Sequence, residues 1–243
     1  MAHPRLDENS PIPLHVQLKN ILSEQIMERQ YTDKIPSERE LMDQFSTSRA
    51  TVRAAISSLV KEGILVKKPG KGTFVSIKPV QEWLGKLSSF TETVRNMKMT
   101  PRFKLIRQGK SSTPPFIASL LEEETFYYID RLLFANNIPV AVEKQYYSLT
   151  IGQKLAQYDL STATFYDILE NDIGVILSEA DQSISAGSAT KEEGELLGVS
   201  EGSSVLRIER LIKDPEGKPI EYLMGCFRAD MYSLRVKMAR RQR

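Results

Sequence analysis

The sequence predicts an α+β chain of two domains: a helical N-terminal third ending in a small hairpin, and a C-terminal part built on a mixed, largely antiparallel sheet with short helices. Three observations predict it. The chain has 243 residues, 41% of them hydrophobic, enough to build two cores. Up to Val60 the apolar residues recur at helical spacing. Beyond about Phe103 they fall in strand-length runs separated by Gly, Pro, Asn and Asp turns.

Pro11 and Pro13 punctuate an extended entry, after which Leu14, Leu18, Ile21, Leu22 and Ile26 form one helical stripe. Ser37 with Glu40 is a capping box that opens a second helix ending near Phe45. Ser48 can cap a third, whose Val52, Ala55, Ile56, Leu59 and Val60 make an apolar face and whose stop is Gly63. Ile64 to Lys68 and Thr73 to Val75 then read as two strands around the turn Pro69-Gly70-Lys71-Gly72. These elements assign residues 1–77 to the first domain and 78–92 to a linker, since Lys78-Pro79 breaks the strand and no long periodic element starts before Phe90. Residues 93–243 form the second domain.

The third helix carries Arg49, Thr51 and Arg53 near its start, away from the apolar face. A helix entering the major groove of DNA presents its early residues to base edges, while flanking groups hold phosphates. Arg49 and Arg53, with Thr51 alongside, are therefore the candidates for base contact. Ser37, Arg39, Ser48, Lys71 and Gly72 are the candidates for phosphate or minor-groove contact, the glycine allowing close backbone approach. A solvated helix face is the competing reading for the arginines. Net charge is only +2, but between Thr47 and Lys78 the basic residues Arg49, Arg53, Lys61, Lys67, Lys68, Lys71 and Lys78 face the single acid Glu62. That local field favours a polyanion. Gln17 and Lys19 on the first helix, and Arg235, Lys237, Arg240, Arg241 and Arg243 at the C-terminus, read more simply as solvated.

One cysteine, Cys226, excludes an internal disulfide framework and suits a reduced, cytoplasmic setting. No apolar run reaches the roughly 20 residues of a membrane span, and the N-terminus has no signal-peptide core. Both histidines, His3 and His15, precede the second helix, so the C-terminal two-thirds offer neither a Ser-His-Asp site nor common zinc chemistry. Nothing calls for a cofactor or a metal.

In the second domain Ser89 or Thr91 can cap a short helix running to Met97, whose free amides would suit an anion. Phe103 to Gln108 reads as a strand, Thr125 to Phe134 with Val140 to Tyr147 as a hairpin, Thr164 to Glu170 as helical, and Val175 to Ile184 as extended. Thr190 with Glu193 is another capping box, before a helix that stops at Gly198. Ser204 to Lys213 with Ile220 to Phe227 forms a second hairpin. The two hairpins look alike: Asp130-Arg131-Leu132-Leu133 and Pro139 to Glu143 parallel Glu209-Arg210-Leu211-Ile212 and Pro219 to Glu221. Arg131, Glu143 and Glu221 are then either groups lining a cleft between related halves or cross-strand ion pairs on a sheet face.

The N-terminal motifs PSEREL, SRATVRAAISSLVKEG and GKGTFV, in this order and separation, closely resemble the winged helix-turn-helix of GntR-type bacterial transcription regulators. The second domain resembles, more loosely, the UTRA effector-sensing domain of the HutC-like branch, whose fold is like chorismate lyase. That resemblance rests on LSSFTETVRNMKMTP at Leu87 to Pro101, IDRLLFANNIPVAVE at Ile129 to Glu143, TFYDIL at Thr164 to Leu169 and FRADMY at Phe227 to Tyr232. Among the relatives are regulators of amino-sugar uptake that respond to phosphorylated N-acetylglucosamine or glucosamine. The resemblance implies a phosphate held by Ser89, Phe90, Thr91, Arg131 and Thr164, and a sugar contacted by Glu143, Tyr166, Glu221 and Phe227. Where relatives have a second arginine this chain has Leu133, which points to a less anionic effector or another metabolite. The implied function is a homodimeric repressor of carbohydrate or amino-sugar genes that reads double-stranded DNA at a palindromic operator and answers to a small molecule, with sugar phosphates as the leading class. The rival readings are a lyase-like enzyme with a helical appendage and an effector-independent DNA-binding protein.

Overall fold

The computed structural model describes residues 6–27, 30–76 and 79–239. His3, Lys78, Arg240, Arg241 and Arg243, and the expected domain limit at 77/78, lie outside the described residues. The chain forms two compact units, Met1–Lys78 and Pro79–Arg243.

In the first unit, α1 (Leu14–Met27), α2 (Glu38–Phe45) and α3 (Arg49–Lys61) precede an antiparallel pair, β1 (Leu65–Lys68) and β2 (Gly72–Val75). Leu18, Leu22, Leu41, Val52, Ala55, Ile56 and Leu59 close the core, as their helical spacing requires, while Val60 stays half-buried. The Ser37 capping box forms in full, Ser48 accepts from the Thr51 amide at 3.2 Å, and Gly63 takes a positive φ of 76° just past α3. An element that periodicity did not show edges the wing: Lys34 bridges Phe74, with the Val75 amide donating to the Asp33 carbonyl at 2.7 Å. Gln17 is structural, since its amide ties down the Asp7 and Ile12 carbonyls, and Lys19 pairs with Glu62 at 3.1 Å.

The second unit begins with β3 (Val80–Trp83), inside the expected linker. Four residues carry too little periodicity to be recognised, and the strand exists because it pairs in parallel with β10 (Tyr232–Arg235), at the far end of the chain. Between them lie α4 (Phe90–Asn96), β4 (Pro101–Ser111), α5 (Pro115–Leu121), β5 (Phe126–Ala135), β6 (Ile138–Ser148), α6 (Leu149–Leu155), α7 (Phe165–Asp167) continuing into a π-helical turn at Ile168–Ile173, β7 (Glu179–Ser188), α8 (Lys191–Leu197), β8 (Ser204–Lys213) and β9 (Pro219–Arg228). The main sheet has the order β4-β5-β6-β9-β8-β7 and every pairing in it is antiparallel, so the mixed character expected comes from the separate β3–β10 pair. Its central strands are buried on both faces. Tyr147, Phe165, Leu169 and Ile212 pack on one side, and two clusters, around Val142 with Leu197 and around Phe126 with Tyr222, on the other.

The two hairpins meet at β6 and β9, where Glu143 lies opposite Gly225 and Gln145 opposite Leu223, a pairing with local two-fold symmetry. Register corrects the repeat seen in sequence. Arg131 lies opposite Glu143 and Arg210 opposite Leu223, so the two arginines are equivalent but Glu221, opposite Ile212, corresponds to Ala141 and not to Glu143. An alignment of the two glutamates is off by two residues on the second return strand, which the period of a strand cannot reveal.

Candidate functional site

The first unit presents Arg39, Arg49, Arg53, Lys71 and Gly72 on exposed surface, with Ser37 and Ser48 at the starts of α2 and α3. The Ser48 hydroxyl also meets the Thr51 hydroxyl at 2.9 Å, so Thr51 is oriented by the cap. The side chain of Arg53 remains 61% exposed although its Nε donates to Glu38 Oε2 at 2.8 Å, and Lys67 stands 3.9 Å from the same carboxylate. Glu38, in the first turn of α2, thus aims the Arg53 guanidinium. It lies outside the basic stretch from Thr47 to Lys78, so local charge alone does not reveal it. At the wing, Gly70 and Gly72 hold positive φ of 69° and 116° beside Lys71, and the Lys68 ammonium sits 4.3 Å from the Phe74 ring. The surface is exposed and basic, suited to a phosphate backbone and groove edges.

The second unit holds a different kind of site. Arg131, only 3% exposed, has its guanidinium 3.5 Å from the Phe165 ring and 4.5 Å from the Phe103 ring. Nη1 donates to the Ala163 carbonyl at 3.0 Å and Nη2 to Gln145 at 3.2 Å, but the buried Nε has no partner. Beside it Glu143 is buried, and burial pushes its carboxyl up to about 7, with Arg131 pulling the other way and Glu221 adding to the rise. Glu221 is fully buried. Burial raises its carboxyl as well, against the hydrogen bond that the Tyr147 hydroxyl donates to Oε2 at 2.5 Å, with Arg210, Arg131 and the Gln145 side chain also favouring the charged form. An unsatisfied guanidinium nitrogen in a buried patch, here Arg131 Nε, is what a site for a polar ligand leaves behind.

The cavity here has a volume of about 30 Å³, room for one water, and its wall includes Ser89, Phe90, Thr91, Arg131, Glu143 and Tyr166. Three expected residues lie elsewhere. Glu221 sits beneath, against Tyr147. Phe227 packs tilted against Tyr232, 4.4 Å between ring centroids, and covers Gly225, where an added Cβ would come within 2.3 Å of its ring. Thr164 donates to Asp167 at 2.7 Å and lines a wider cleft of about 680 Å³, along with Arg95, Arg102 and Lys104. Phe103 belongs to both walls and separates the two spaces. At α4 the Ser89 hydroxyl and amide are both engaged with Glu92 in a capping box, so Ser89 first serves its own helix.

Arg210 and Gln145, absent from the residues expected from sequence, also line the cavity. Arg210 had a signal, its position in the second hairpin matching Arg131 in the first. Gln145 had none beyond lying two residues past Glu143 on the same face.

Comparison with known proteins agrees with both halves. Residues 14–75 match the family model described as bacterial regulatory proteins, gntR family, and residues 96–233 match the UTRA domain. The HTH-type transcriptional repressor NagR of Bacillus subtilis is 34% identical over 94% of this chain and 96% of its own length. A probable fructoselysine utilization operon transcriptional repressor of Escherichia coli is 25% identical, covering 84% of each. The crystal structure of PhnF from Mycobacterium smegmatis shares the fold, with a TM-score of 0.64 at 19% identity over 91% of this chain and 99% of that one. The expectation of a regulator in place of a lyase-like enzyme agrees with these relatives. The chain belongs to the gntR family of bacterial transcription regulators, in its HutC-like branch: a DNA-binding protein whose UTRA domain takes a small-molecule effector.

Proposed function

We propose that this regulator is a homodimeric repressor of carbohydrate or amino-sugar uptake and use, bound to a palindromic operator through two copies of its first unit and released by a sugar phosphate in the second. Arg49, Arg53 and Thr51 read base edges, while Ser37, Arg39, Ser48, Lys71 and Gly72 hold the backbone. Dimerisation through the C-terminal units spaces the two heads by a helical repeat. The observation that carries the effector reading is the buried Arg131, with an unspent Nε between two aromatic rings and beside Glu143. A guanidinium suits a phosphate, and carboxylates suit sugar hydroxyls. Ser89, Phe90, Thr91, Tyr166 and Thr164 complete the pocket once Phe103 swings aside and joins the small cavity to the wider cleft, with Glu221 and Phe227 supporting its floor. The names of NagR and of the fructoselysine repressor point to the same class of genes.

The test is selection of genomic fragments by the purified protein at moderate salt, with and without a pool of sugar phosphates. One palindromic site, released by the pool, is the expected result. Recovery of random fragments overturns the operator reading, and a specific site that no pool member releases overturns the effector class. Turnover of a pool member would restore the enzyme reading.

A further inference from the structure

We propose that Arg210 is the second anion-binding guanidinium of this cavity, and that Glu82 and an anionic effector compete for it, so that effector binding loosens β3. The inference rests on the sugar-phosphate reading above and adds to it a residue and a route of transmission. β5 supplies one guanidinium only, since position 133 is a fully buried leucine. The two-fold relation of the hairpins places Arg210 as the counterpart of Arg131, and both side chains reach the same wall.

The bonds of Arg210 divide into two sets. Nη2 is held by Glu82 at 2.7 Å and Nε by Gln182 at 2.5 Å. Nη1 makes only long bonds, 3.3 Å to the Tyr166 hydroxyl and 3.5 Å to the Ser88 carbonyl. Tyr166 is itself part of the cavity wall, so an anion there meets the weakly held edge of the fork. A phosphate would bind that fork more strongly than two long neutral contacts, and rotation toward it draws Nη2 from Glu82.

Glu82 then becomes the unstable group. It is buried, and its other oxygen accepts from the Tyr232 hydroxyl at 2.7 Å. Without Arg210 a buried carboxylate keeps a single neutral donor, a strongly unfavourable state that movement toward water relieves. Glu82 lies on β3, which starts just past the boundary between the units and is held by four residues of parallel pairing with β10. An equilibrium shifts only through unequal affinity for its two states, and competition for one guanidinium supplies that inequality.

The test uses the full chain with glucosamine 6-phosphate as probe. Calorimetric titration should show Arg210→Gln binding about tenfold or more weakly than wild type, and Glu82→Gln several-fold more tightly because the competitor is neutral. In wild type, amide exchange over residues 80–83 should accelerate on saturation with the probe; this reading needs no variant and stands if Glu82→Gln fails to fold. Wild-type binding that Arg210→Gln leaves unchanged, tighter binding absent from a folded Glu82→Gln, or unaltered exchange in β3 each overturns the inference while the effector reading survives. Should wild type fail to bind this probe, the pool member that it does bind takes its place, and binding of none brings the phosphate-dependent inference down together with that reading.

Discussion

The two units use charge in opposite ways. The DNA-reading unit keeps Arg39, Arg49 and Arg53 in water: Arg53, on α3, is tethered to Glu38 on α2 yet mostly exposed. The sheet unit buries Arg131 and Arg210 among aromatic rings and carboxylates gathered from β3, β6 and β9. An exposed guanidinium costs nothing to maintain and draws affinity from released counterions, so it can be removed without harm to the fold. A buried one is part of the fold before it is part of a site.

Arg131→Leu should break this contrast most visibly. At pH 8 the loss leaves Glu143 and Glu221 buried with Arg210 as the remaining nearby cation, and the C-terminal unit should lose about 3–5 kcal/mol in denaturant unfolding. At pH 5 the Glu143 carboxyl, pushed up to about 7 by burial, is protonated and the loss should shrink. Equal losses at the two pH values would show that Arg131 stabilises by packing alone.

Glu143 sharpens the same point from the acidic side. Its carboxyl titrates near 7 in the folded protein and at about 4.5 when unfolded. Between those values the native state holds a proton that the unfolded chain has lost, so stability falls as pH rises through this window, by about 3 kcal/mol in all, and then levels off. Melting of Glu143→Gln should lack that decline. A decline as steep as in wild type would assign it to Glu221.

The same contrast governs what could be read in advance. Caps, helical stripes and the basic helix start of the first unit are local, within a few residues of one another, so Ser37, Ser48, Arg49 and Arg53 stood out in sequence. The hairpins of the second unit were visible because their turns are local too. The cavity was not, because it depends on register: Glu221 shifts by two residues against the apparent repeat, Phe227 turns onto Tyr232, and Glu82 reaches Arg210 only because β3 pairs with β10. Arg131 and Glu143 were recognisable as partners since one tight turn joins their strands. Arg210 was visible in the repeat and went unused.

In the first unit the effects should fall on DNA and not on folding. Arg53→Ala should cost about 1–3 kcal/mol on the specific site and little on random sequence, with the melting temperature unmoved because an ion pair this exposed contributes at most about 1 kcal/mol. Equal losses on both DNAs, measured by fluorescence anisotropy at one salt concentration, would place Arg53 on the backbone instead.

Lys71→Ala should give the smallest effect and the cleanest control. The lysine stands exposed in the wing turn between Gly70 and Gly72, whose positive φ values set the shape of the tip, so its side chain can be removed without altering the turn. A contact to one phosphate predicts a few-fold loss shared by specific and random DNA, and a reduction of about one in the slope of log affinity against log salt. A loss confined to the specific site would instead put Lys71 against a base edge in the minor groove, and the wing would then share in the readout here assigned to α3.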